Sequence, residues 1–362
     1  MKHLCCLFAL WLLVGCGSSA SQSDTARAAT DTLAPADSST FVPRPAHALY
    51  HWKTVFDPTP EEWDFLRKHQ VERLYIRFFD VDINFEQPVE EGYPVIPIAT
   101  AIFHQRPDST MEVVPTVYIT LEALRKIKEV DKIIPYANAM VERIRRMAAA
   151  NKIGNIQQVQ IDCDWTPSTE ADYFALLRQM RSQLRKQGIA LSSTIRLWQL
   201  ARPTPPVDCG VLMCYNSGSI TQPDVYNSIL DPNDMLPYLP RLADYSLPLD
   251  YAYPVFGWSV WFRDGKFKAL IRETDCSDPD RYTPLKENNY RVRTEHYIVE
   301  KQLKPGDVVR VELPSFEAIR EVQQAVEKYA PRDSSSVILY HLDQNNLKKY
   351  SSDEIDSLYS AR

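Results

Sequence analysis

Residues 156-IQQVQIDCDWTPSTE-170 decide the reading of the fold. Apolar and polar residues alternate up to two aspartates one residue apart, and Thr-Pro-Ser-Thr then breaks the pattern. Behind the break, Glu170–Gln187 carries Tyr173, Leu176, Leu177, Met180 and Leu184 at helical spacing, and Gly188 closes it. This is a strand feeding a helix. On the strand, Gln160, Asp162, Asp164 and Thr166 fall on one face, and Ile161 and Cys163 fall on the other. Two strand rises put the aspartate Cα atoms roughly 6.5 Å apart. Like charges this close push at least one pKa upward, which suits proton handling. The structural alternative is an ion network in which Arg196 or Arg77 neutralises the pair.

The same unit repeats outward along the chain. Strand patterns occur at Ala46–Trp52, Arg73–Asp82, Val95–Phe103, Val113–Thr120, Ala190–Leu200, Cys209–Asn216, Leu249–Trp261 and Ser336–Asp343. Helical patterns occur at Thr59–Gln70, Leu121–Ala150 (with a break near Pro135) and Phe316–Tyr329, and Pro223–Leu242 reads as loop and helix. Thr59, Pro60, Glu61 and Glu62 form a helix start: a capping hydroxyl, a first-turn proline and two acids. Alternating strands and helices over one long domain predict a (β/α)8 TIM-type barrel of α/β class. The charged stretch 262–305 is too long for an ordinary βα loop and predicts an insertion after strand seven, with a small strand at Asp307–Leu313.

The ends and the composition bound the rest. Lys2 followed by apolar Leu4–Val14 reads as a signal peptide over residues 1–15. It ends in Leu13-Val14-Gly15-Cys16, which resembles the lipobox of bacterial lipoproteins, with Cys16 the lipidated residue and membrane attachment through it. Residues 16–42 are rich in Ser, Ala, Thr and Asp without apolar period and read as a tether, leaving 43–362 as the folded domain. Gly17 after the cysteine resembles lipoproteins of the outer membrane, so a bacterial envelope location is expected.

A formal charge of -6 with no basic patch argues against nucleic acid. The glycines form no nucleotide cradle, the cysteines show no CxxC spacing, and His47 and His51 lack further ligands, so no cofactor or metal is expected. Cys209 and Cys214 pair only if the fold brings them together.

Four segments in order carry a family resemblance. Residues 162-DCDWT-166 resemble strand four of the chitinase-type (family 18-like) glycoside hydrolases, whose signature runs Asp-x-x-Asp-x-Asp-x-Glu. Asp162 and Asp164 match the last two aspartates, Val159 replaces the first, and Thr166 stands where the glutamate would be. Met213-Cys214-Tyr215-Asn216, Tyr253–Trp258 and Val337–Asp343 resemble strands six, seven and eight, with Tyr340 at the place of the usual tryptophan. The chain also resembles bacterial barrel lipoproteins with an Ile-Asp-x-Asp strand end. In the chitinase-type family the glutamate is the general acid, and a neighbouring aspartate helps position the substrate's N-acetyl group. A hydroxyl is far too weak an acid to replace it, and such a loss costs of order 10²–10⁴ in rate.

Aromatic residues gather at or near the predicted strand ends: Trp165, Trp198, Tyr215, Tyr253, Trp258 and Tyr340. Such rings suit the C–H faces of sugars, although core packing is the alternative for each. With Arg196, which can pair with Asp162 or meet an acidic sugar, and with Asn216, these residues make up the expected glycan-binding set. Two readings follow from the sequence. One is an oligosaccharide-binding barrel without the standard acid. The other is an active hydrolase using Asp164 as acid/base with Asp162 in support.

Overall fold

The computed structural model describes residues 44–84, 94–330 and 335–360. The signal peptide, Cys16 and the tether lie outside them. Eight parallel strands form the centre: β1 (His47–His51), β2 (Arg73–Ile83), β3 (Glu112–Ile119), β4 (Gln158–Asp162), β5 (Ala190–Ile195), β6 (Cys209–Met213), β7 (Leu249–Pro254) and β8 (Val337–Tyr340). Each pairs with the next, and β1 pairs with both β2 (Tyr50 opposite Tyr75) and β8 (Leu49 opposite Leu339), which closes the sheet. The fold is the expected (β/α)8 TIM-type barrel.

The first helix forms where the sequence places its cap. In α1 (Pro60–Lys68) the Thr59 hydroxyl accepts from the Glu62 amide at 3.2 Å, while the Glu62 carboxylate accepts from the Thr59 amide at 3.0 Å. The long helical stretch after β3 divides into α2 (Leu121–Glu129) and α3 (Ile133–Ala150), so its break precedes Pro135, which sits in the first turn of α3. After β4, α4 (Glu170–Arg185) ends just before Gly188 at φ +71°.

Three expected strands are corrected. Val95–Phe103 is not a barrel strand: Val95–Ile98 runs antiparallel to the end of β2, and Ile102–Phe103 pairs only with Val55–Phe56. β5 stops at Ile195, and a 3-10 turn follows at Leu197–Ala201. The chain leaves the barrel after β7 at Gly257, where an added Cβ would lie 2.8 Å from the Glu312 carbonyl oxygen. Trp258 therefore begins the insertion, which is a five-stranded antiparallel sheet reaching from Trp258 to Glu312, wider than 262–305. It has its own small core around Trp261, Tyr282, Val292 and Val309.

Inside the barrel, side-chain alternation sorts chemistry. Gln158, Gln160 and Asp162 of β4 point inward: Gln158 donates to the Ser192 hydroxyl at 2.6 Å, and Gln160 accepts from the Tyr50 hydroxyl at 2.7 Å. Val159, Ile161 and Cys163 pack toward the helices within the main core. At the N-terminal end of the strands, Arg73 meets Glu112 at 3.0 Å and Asp250 at 3.6 Å, all three buried. This charged layer forms the barrel floor. Cys209 and Cys214 lie near opposite ends of β6, about 16 Å apart along an extended chain, and are free and buried, so they do not pair.

Candidate functional site

A cleft of about 420 Å³ opens among the C-terminal strand ends, where barrels of this type carry their sites. Asp162, Asp164, Arg196, Tyr215, Asn216, Trp258 and Tyr340 all line it. Trp165 and Trp198 do not. Trp165 is 0% exposed and packs against Tyr173, Phe174 and Trp198, because the chain turns away after Asp164 and carries the indole into the helix layer. Trp198 follows it, since the 3-10 turn rotates it off the Thr194–Arg196 face. Tyr253 is likewise buried away from the cleft.

The two aspartates have different partners. Arg196 Nε donates to Asp164 Oδ1 at 2.5 Å, so the expected pairing of Arg196 with Asp162 is replaced by one with Asp164. Arg77 donates to both Asp80 carboxylate oxygens through Nε and Nη2 and stands over the Trp52 ring at 5.6 Å, so it does not neutralise the pair either. Asp162 is 5% exposed and accepts the Thr194 hydroxyl at 2.7 Å. Burial pushes its pKa up to about 6; Asp164 and Asp80 add to the rise, and Arg196 and Thr194 oppose it.

Thr166 is not at the cleft. Its amide donates to the Thr169 hydroxyl at 2.9 Å, and its own hydroxyl meets that of Ser168 at 2.9 Å, at the approach to α4. The strand alternation that would place it beside Asp164 ends with β4 at Asp162. Asp80, Asp162 and Asp164 are the carboxylates among the described lining residues, and no glutamate is among those.

Other lining residues complete an aromatic wall that the sequence reading left out: Tyr50, Trp52, Tyr118 and Phe256, with His341 beside them. Tyr340 is the hub, with ring centroids 5.2 Å from Tyr215, 5.3 Å from Phe256 and 5.5 Å from Tyr50. The signal that finds them is position: each stands at or just past the end of a barrel strand. Trp258 is held from behind, its indole N–H donating to Glu312 Oε2 at 2.6 Å. Glu312, fully buried, also accepts from the Ser228 hydroxyl and from Arg310. Among the described residues no cluster of three or more His, Cys, Asp or Glu is placed to hold a metal ion.

The closed parallel sheet and a cleft at its C-terminal mouth define the class as a TIM-type (β/α)8 barrel. No protein-family model matches the chain, and no curated protein matches it. Solved structures do. A chitinase from Chromobacterium violaceum ATCC 12472 superposes with a TM-score of 0.50 at 10% identity, over 87% of this chain and 98% of its own. The Bacillus cereus spore cortex-lytic enzyme SleL gives 0.50 at 12%, over 88% and 75%. The Ostrinia furnacalis Group IV chitinase in complex with allosamidin gives 0.50 at 11%, over 87% and 98%. At these identities the likeness is one of fold alone, a closed (β/α)8 barrel.

Proposed function

We propose that the protein is a lipid-anchored bacterial envelope protein whose glycoside hydrolase-like barrel binds an oligosaccharide without the standard chitinase-type general acid. The cleft carries this reading. Tyrosine and tryptophan faces surround a few carboxylates at the barrel mouth, no glutamate lines it among the described residues, and Thr166 is turned away. Flat rings with polar edges suit sugar C–H faces, and the polar floor suits sugar hydroxyls. A solved neighbour of this fold is held in complex with allosamidin, which supports a glycan as the ligand class.

The alternative, an active hydrolase, gains support from one observation. Asp162 lines the cleft with a pKa of about 6 and so can hold a proton near neutral pH. In that reading Asp162 takes the proton-donor role, in exchange with Asp164, the acid/base expected from sequence, which is ion-paired with Arg196.

Binding and turnover measured on a panel of neutral and N-acetylated glycans separate the two. The expected result is binding without turnover, weakened about tenfold or more by Trp258→Ala or Tyr340→Ala. Turnover abolished by Asp162→Asn or Asp164→Asn selects the hydrolase instead. The lipid anchor and the outer-membrane location rest on the pattern around Cys16. Fatty-acid labelling lost in Cys16→Ser, and recovery of the label in the outer-membrane fraction, test them.

A further inference from the structure

Charge pairing in the cleft is uneven. Arg77 is bonded to Asp80, and Arg196 to Asp164. Asp162 is left over. Its Oδ1 takes the Thr194 hydroxyl, and among the described residues its side chain forms no ion pair, although the Arg196 charge acts on it at longer range. A carboxylate 5% exposed, with Arg196 acting on it only at a distance, is costly, yet this one borders an open cleft instead of a sealed core. In the same cleft the Tyr215 hydroxyl, on a residue 2% exposed, also lacks a partner. The rings of Tyr50, Tyr215 and Tyr340 line the same cavity, and aromatic faces attract cations.

The chemistry that satisfies these groups together is a compact cation with several donors. A sugar hydroxyl brings no charge, and an acetamido group brings one N–H and no charge. A primary ammonium brings a positive charge and three donors. We propose that Asp162, with Tyr215 in the same cleft, forms a subsite for the primary ammonium of an amino sugar, so that the cleft selects a free-amine glycan over its N-acetylated counterpart. This rests on the carbohydrate reading above. The raised pKa of Asp162 agrees with it, because burial outweighs the Arg196 charge and holds the proton on, and a bound ammonium would release it.

Isothermal titration at pH 7 with a β-1,4-linked glucosamine oligosaccharide and with its fully N-acetylated form tests the proposal. The free-amine ligand should bind about tenfold tighter, the size of one charge-assisted hydrogen bond. Asp162→Asn, which keeps the shape and the Thr194 contact, should abolish the preference. Equal or tighter binding of the N-acetylated form, or a preference that survives Asp162→Asn, overturns the subsite. If that variant does not fold, Tyr215→Phe removes the unpartnered hydroxyl and should cut the preference severalfold; an undiminished preference there overturns the proposal. Glycan binding without amine preference sinks the subsite and leaves the carbohydrate reading standing. No binding to any glycan sinks both.

Discussion

Asp162 and Asp164 stand one residue apart, yet their surroundings treat them differently. Arg196 reaches Asp164, whereas Asp162 sits deeper with a hydroxyl for company. Folding raises the Asp162 pKa to about 6, so the native state holds that proton more tightly than the unfolded chain does. The stability this group contributes is full below its unfolded value and is lost as pH rises through 6. Asp162→Asn should therefore stabilise the protein at pH 8 by on the order of 2 kcal/mol and leave it unchanged near pH 4. Urea unfolding at the two pH values checks this, and equal effects at both would sink it. Thr166 supports a second expectation. Its side chain is engaged with Ser168 and Thr169, so Thr166→Glu places a carboxyl outside the cleft. No gain of chitin-oligomer hydrolysis is expected, and a clear gain in a turnover assay would show that the turn swings inward. The sequence makes the aspartate pair and its address legible. It does not show which aspartate the arginine takes, because that depends on how far β5 runs before its turn.

At the scale of elements, period and caps were reliable guides and strand ends were not. The capping box at Thr59 and the helix after β4 are local features, and local features are readable from sequence. Val95–Phe103 has the apolar content of a strand, but the residues that decide its pairing lie far away in sequence. Leu249–Trp261 reads as one run, and only the close approach at Gly257 shows where barrel gives way to insertion. That junction is held by Glu312, which ties Trp258 of the cleft to Ser228 and Arg310. Glu312→Ala would leave Arg310 buried without a counter-charge and should cost about 3–5 kcal/mol. It should also shift Trp258 fluorescence toward that of a solvated indole. Denaturant midpoints and emission spectra of the variant test this, and a loss under about 1 kcal/mol would mean that the pair contributes no more than a surface contact.

Across the whole molecule the repeated strand–helix order made the barrel legible, since few folds accommodate so many such units in one domain. The charged floor was hidden. Arg73, Glu112 and Asp250 each sit at or next to the start of a strand, where a charge reads as ordinary loop polarity until closure brings the three together. Arg73→Leu would strand two buried carboxylates and should lower stability by about 3–5 kcal/mol. Adding Glu112→Gln and Asp250→Asn should restore most of the loss in the same unfolding assay; failure to recover would mean that packing, and not charge, is what Arg73 supplies. The floor also shapes traffic. Among the described residues these side chains fill the lower end, so the cleft opens at the upper rim. A long chain cannot thread through the protein; it lies across the rim or dips one end inside, and whatever enters leaves by the way it came.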